Sequence, residues 1–188
     1  STTNQQPTNQ GENMNDKNYC CFVFNATTLP TEDPKNQTIT KAIRKTANKV
    51  SLRRGIMNYL DQIHCVQIMK SSSVFLAPVS KSEELQTLAK WITSADTNEA
   101  YLFDFAPFAM MRFSKTSYNM FDPLIEEAER LFEKSKRQKQ NTKTNSQLES
   151  VLKKLEVFYR LLNFSQQQRL KSLHGSIVSK ITSCTVEA

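Results

Sequence analysis

Apolar residues change their spacing along the chain, and the spacing predicts the elements. Residues 1–17 are almost devoid of apolar side chains and rich in Asn, Gln, Thr and Pro. A segment that buries nothing cannot offset the entropy of ordering it, so a disordered polar tail is expected. Tyr19 to Phe24 is a continuous apolar, aromatic run, and the turn residues and prolines of 25–34 follow it, as for a strand and then a loop. Ile39, Ala42, Ile43, Ala47 and Val50 recur at helical spacing. Ser51 then offers a cap for a second helix carrying Leu52, Ile56, Tyr59, Leu60 and Ile63, unless one helix runs straight through; Gly55 weakens either reading.

Further on, Cys65–Met69 and Ser73–Val79 are two short runs of strand-forming residues around Lys70–Ser72, a predicted hairpin. Ser80–Thr93 reads as a helix capped by Ser80 or Ser82, with Leu85, Leu88, Ala89 and Ile92 as its stripe. Ala100–Phe105 is a strand ended by Pro107. The last third is helical. Asp122-Pro123 supplies an N-cap and a first-turn proline ahead of Leu124, Ile125, Ala128, Leu131 and Phe132. A polar linker at 138–146 precedes the stripe Leu148, Val151, Leu152, Leu155, Phe158 and Leu162. Ser165 with Gln168 has the spacing of a capping box and opens a final helix through Leu170, Leu173, Ile177 and Ile181. The short junction at 163–165 predicts an antiparallel helical hairpin over 147–183.

The order up to Phe105 is strand, helix, strand, strand, helix, strand. This predicts an α+β domain of βαββαβ, ferredoxin-like topology over 18–113, with a helical extension at 117–188. At this point a resemblance enters. Cys21-Phe22-Val23-Phe24-Asn25-Ala26 resembles the first-strand motif of RNA-recognition-motif (RRM) domains, and Ser73-Val74-Phe75-Leu76 with the following helix resembles their third strand and second helix. The likeness spans about residues 19–106. Ala26 stands where the family has Leu, and Ser71, Ser72 and Ser73 stand where it has a basic-glycine-aromatic opening. The resemblance implies that Phe22, Phe24 and Phe75 project from an open sheet face to stack unpaired bases, joined by Tyr101, Phe103 and Phe105. Two other fates stay open for these rings: core beneath the C-terminal helices, or a face that docks another protein.

Charge sharpens this picture. The chain has 188 residues and a net charge of +7, but the segments 1–33, 34–81, 82–133 and 134–188 carry −3, +8, −6 and +8. Lys41, Arg44, Lys45, Lys49, Arg53 and Arg54 fall in a stretch with no acid between Asp33 and Asp61. Cations clustered in this way neutralise phosphates and release counterions; the alternative is a solvated helix face. If Ser51 starts a second helix, residues 38–63 also fit a helix-turn-helix with Arg53 and Arg54 near the start of a reading helix. Lys134, Lys136 and Arg137, with Lys139 and Lys143 beyond, form a second group, explained either by the dipole of a helix end or by phosphate binding.

Other chemistry finds little support. The only histidines are His64 and His174, and a strand places His64 and Cys65 on opposite faces, wrong for a thiol–imidazole pair. Cys20, Cys21, Cys65 and Cys184 show no CxxC spacing, so buried reduced thiols are expected, with no metal site and no cofactor. Glu126, Glu127 and Glu129 are explained by a helix start. No apolar run is long enough to cross a membrane, and the polar start is unlike a secretory signal, so an intracellular location, nuclear or cytoplasmic, is expected. The resulting expectation is a non-catalytic accessory subunit of a larger complex. It would bind RNA or DNA through the basic helix, with other protein subunits as partners. A pure protein–protein scaffold and a helix-turn-helix DNA-binding protein are the alternatives.

Overall fold

The computed structural model describes residues 19–31, 37–68, 72–104, 107–137 and 141–186, with side chains described for all of these except 104–119 and 184–186. The polar tail expected at 1–17, Phe105 and Lys139 lie outside the described residues. In chain order the elements are β1 (Tyr19–Asn25), α1 (Gln37–Ala47), α2 (Leu52–Gln62), β2 (Val66–Gln67), β3 (Val74–Pro78), α3 (Ser82–Thr93), β4 (Glu99–Asp104), α4 (Pro107–Arg137), α5 (Thr142–Val157) and α6 (Phe164–Val186). The strands form one sheet in the order β2-β3-β1-β4, and every neighbouring pair is antiparallel. This is the expected α+β, ferredoxin/RRM-like topology followed by a helical extension, except that its first crossover is a pair of helices.

Period-two alternation sends the residues of β1 and β3 to two separate cores. Cys20, Phe22 and Phe24 of β1, Phe75 and Ala77 of β3 and Ala100 of β4 pack with Ile43 of α1, Leu52, Ile56 and Leu60 of α2, and Leu85, Leu88, Trp91 and Ile92 of α3. The intervening Cys21 and Leu76, with Val66 of β2, pack against Met120, Phe121, Ile125 and Ala128 of α4, Leu155 of α5 and Leu170 of α6. The sheet is therefore the middle of three layers. Each fully buried Phe or Leu in these cores contributes roughly 1.5–3 kcal/mol by leaving water.

Local chemistry explains the breaks between helices. Ser51 caps α2, its hydroxyl accepting from the Arg54 N–H at 3.1 Å. Gly55 lies where α1 and α2 cross: a Cβ there would sit 2.8 Å from the Ile43 carbonyl oxygen. Helix α2 ends with the His64 N–H donating to the Asp61 carbonyl at 3.1 Å and the Cys65 N–H to the Leu60 carbonyl at 2.9 Å. That bonding pattern needs a left-handed residue, usually glycine, and here His64 adopts it with φ 65°. Buried Asn98 ties the loop after β1 to the start of β4. Its Oδ1 accepts from the Thr27 and Thr28 N–H groups at 2.9 and 3.1 Å, and its Nδ2 donates to the Thr28 carbonyl at 2.6 Å and to the Ile92 carbonyl at 3.2 Å.

The extension departs from the sequence reading in three ways. Helix α4 does not start at Asp122-Pro123; Pro123 lies inside it, and the helix runs through the expected domain junction between 113 and 117. Buried Met120 and Phe121 before the proline and Ile125 and Ala128 after it anchor both halves against the sheet, which holds the helix across the lost hydrogen bond. Asp122, expected as a cap, instead accepts from Gln166 Nε2 at 3.0 Å. The reciprocal cap of α6 is built two residues earlier than Ser165-Gln168. Asn163 Oδ1 accepts from the Gln166 N–H at 2.8 Å, and Gln166 Oε1 accepts from the Asn163 N–H at 2.9 Å. Finally, α5 and α6 do not close into the expected hairpin. Both lean on α4, and a groove of about 1060 Å3 opens between them, lined by Phe132, Leu148, Leu152, Ile177 and Ile181 among others.

Candidate nucleic-acid interface

Helix α1 buries Thr40 and Ile43, which turns Lys41 and Lys45 outward on the opposite side. Lys49, in the turn that follows, is also exposed; Arg44 is half-buried and Arg54, in the first turn of α2, is exposed. Lys41 donates to Gln37 Oε1 at 3.2 Å. Among the described residues, none of Lys41, Arg44, Lys45, Lys49 and Arg54 forms an ion pair with a carboxylate. Many cations elsewhere in the fold do. Lys81 reaches Glu84 at 2.9 Å, Arg130 reaches Glu127 at 2.6 Å, Lys153 reaches Glu156 at 3.6 Å and Arg169 reaches Glu129 at 2.7 Å. Like charges four residues apart on a helix cost a few tenths of a kcal/mol, so α1 carries a self-repelling surface. The α1 dipole offsets part of this, since Arg44 and Lys45 stand in its last turn.

Arg53 is a correction to the sequence reading. Its guanidinium points inward and ties α2 to the start of β3, donating to the Ser73 hydroxyl and, at 3.1 Å, to the Ser72 carbonyl. Its Cζ also lies 5.8 Å from the centroid of the buried Phe24 ring. A side chain spent in this way is a structural tie, and the reading helix of a helix-turn-helix loses one of its two expected arginines.

The second basic group sits apart from the first. Lys134, Lys136 and Arg137 occupy the last turn of α4, which belongs to the layer on the other side of the sheet from α1. Lys136 is paired with Glu133 at 2.6 Å, and its ammonium stands 4.6 Å from the Phe132 ring centroid. Lys134 and Arg137 are exposed.

The expected aromatic platform is overturned. Phe22, Phe24 and Phe75 are 0, 1 and 4% exposed and form core beneath α1, α2 and α3, not beneath the C-terminal helices. The register also separates them from Tyr101 and Phe103. Val23 opposes Tyr101 and Cys21 opposes Phe103, so these two β4 rings lie on the other face of the sheet, where they are 58 and 49% exposed. On that same face Cys21 of β1 and Leu76 of β3 are covered by the α4–α6 layer, and Val23 and Val74 are half-buried.

The remaining candidates are tied up elsewhere in the fold. Burial pushes the Cys21 and Cys65 thiols up to about 12. His64 Nδ1 is buried without a hydrogen-bond partner. Burial, then the charges of Lys154, Lys153 and Lys81, hold this imidazole below its ordinary value. Arg130 hydrogen-bonded to Glu127 holds that carboxyl below the usual carboxylate range. Among the described residues no group of three or more His, Cys, Asp or Glu side chains is placed to hold a metal ion. No described helix is long and apolar enough to cross a membrane.

One contact left no trace in the local pattern. Lys154 lies on α5, is only 10% exposed along its side chain, and pairs with Asp61 at the end of α2. Because β2 is two residues long, α2 and α5 meet around that edge of the sheet, and this pair joins the outer layers. The lysine sits within a run that reads as ordinary helix surface, so only its tertiary partner reveals it. Comparison of the chain with protein-family models, with curated proteins and with solved structures finds no match.

Proposed function

We propose that this protein is a non-catalytic nucleic-acid-binding subunit that grips phosphates through Lys41, Arg44, Lys45, Lys49 and Arg54. The observation that carries this reading is a cluster of unpaired cations: these five, close together on α1, the turn after it and the start of α2, have no carboxylate partner among the described residues, whereas Lys81, Arg130, Lys136, Lys153, Lys154 and Arg169 each have one. An unneutralised, self-repelling cluster gains most from a polyanion, because each phosphate contact both relieves the repulsion and releases a counterion. Lys134 and Arg137 support binding from the other layer as a secondary contact. The RRM-like mode of stacking bases on β1 and β3 is not part of the proposal, since those positions are buried. Recognition through the backbone then predicts little sequence preference.

The test is binding of the full chain to a single-stranded oligonucleotide and to a duplex of equal length at moderate salt. Replacing Lys41, Arg44, Lys45, Lys49 and Arg54 together by Gln is expected to weaken binding at least about tenfold. Unchanged affinity in that variant refutes the assignment. A preference for duplex favours readout by the α1–α2 pair, and a preference for single strand disfavours it. The second reading, a protein–protein scaffold, is favoured by the apolar groove between α5 and α6, and predicts that the chain fails to bind either oligonucleotide.

A further inference from the structure

Helix α6 changes environment along its length. Leu170 and Leu173 are buried, Ile177 is half-buried, and Val178 and Ile181 are 61 and 62% exposed, although all belong to one amphipathic helix. The exposed part runs along the groove of about 1060 Å3, whose floor is Phe132, Leu148, Leu152 and Ile177. An apolar ridge thus lies directly beside an apolar groove on the same molecule. Surfaces of that kind satisfy one another when two copies meet about a two-fold axis, since each copy then offers its ridge to the other's groove. Open space beyond Gly175, where an added Cβ would meet nothing within 4 Å, leaves room for a second helix to approach.

Charge selects the occupant. From Phe164 to Val186, α6 carries Arg169, Lys171 and Lys180 and no acid. Arg169 is held by Glu129 at 2.7 Å, and Lys180 donates to the Ser135 carbonyl at 2.9 Å, so Lys171 is the cation presented on the outer side. It lies seven residues before Val178 on the same side of the helix, about 10 Å along the axis. The α5 rim of the groove presents Glu149, which has no ion pair among the described residues, and Glu156, which is paired with Lys153 at 3.6 Å. We propose that the groove between α5 and α6 receives α6 of a second copy of this chain, with Val178 seated on the apolar floor and Lys171 over Glu149. The dimer leaves free the primary phosphate-binding surface, which lies on α1 and the start of α2.

Sedimentation equilibrium of the full, nuclease-treated chain tests this. A monomer–dimer equilibrium is expected, with Val178→Glu raising the dissociation constant at least about tenfold. Glu149→Lys is expected to weaken the dimer, and adding Lys171→Glu to the same chain is expected to restore it. All three positions are exposed, and a cooperative thermal melt establishes that each variant is folded. A wild-type chain that stays monomeric at the highest attainable concentration overturns the proposal. So does a dimer indifferent to Val178→Glu, or a Glu149→Lys defect that Lys171→Glu does not repair.

Discussion

His64 and Arg53 show how single side chains are committed by position. His64 occupies a left-handed backbone position that normally falls to glycine, and it leaves Nδ1 buried without a partner. Both features cost free energy. His64→Gly is therefore expected to stabilise the fold by about 1 kcal/mol, measured by chemical denaturation. The same residue makes stability depend on pH. Its folded imidazole is held below the ordinary value, first by burial and then by the neighbouring lysines, so the unfolded chain takes up the proton first. Its contribution is intact at neutral pH and is lost as pH falls below about 6.5 toward the folded value. His64→Gly is expected to flatten that part of the stability–pH profile, and an unchanged profile contradicts the account. Arg53 makes a parallel case. Arg53→Ala removes its charged hydrogen bonds to the Ser72 carbonyl and the Ser73 hydroxyl and is expected to cost about 1–3 kcal/mol. The folded variant should keep the wild-type salt dependence of nucleic-acid binding, and a reduced salt dependence would place Arg53 among the phosphate ligands instead.

At the scale of elements, the packing partner decided between local options. Pro123 reads as a helix start because Asp122 precedes it, yet apolar residues on both sides hold α4 to the sheet and the helix continues. Pro123→Ala restores the missing backbone donor at an exposed position and is expected to raise stability by about 1–3 kcal/mol in a denaturation curve. A loss of stability would mean that the proline sets a bend the packing requires. The strands and the Ser51 cap were legible in the sequence because short apolar runs and a capping serine are local signals, whereas the split into α1 and α2 stood beside an unbroken helix as an open alternative. The face taken by each strand was not legible. Alternation shows that Phe22 and Cys21 point opposite ways, but both faces here are buried, so the pattern lacks the polar positions that would say which side meets which helices. The groove was hidden for a related reason: a stripe such as Leu170, Leu173, Ile177 and Ile181 records that a helix has an apolar side and says nothing of whether the side is filled along its whole length.

The described residues form a sheet sandwiched between two helical layers. Asp61 and Lys154 join the layers around the short β2 edge, with the lysine the more buried partner. Asp61→Ala strands a buried ammonium and is expected to cost about 1–3 kcal/mol, whereas Lys154→Met is expected to be near neutral. Equal losses in the two variants would contradict the view that desolvation of Lys154 sets the cost. In the candidate interface, the basic cluster on α1 was legible as an acid-free stretch of sequence, whereas the inward turn of Arg53 became visible only through β3. The most direct measurement is the salt dependence of nucleic-acid affinity for the wild-type chain and for the variant with Lys41, Arg44, Lys45, Lys49 and Arg54 replaced by Gln. The account predicts that the slope of log affinity against log salt is shallower by about 3.5–4.5 in the variant. Equal slopes would show that these five side chains do not meet phosphates.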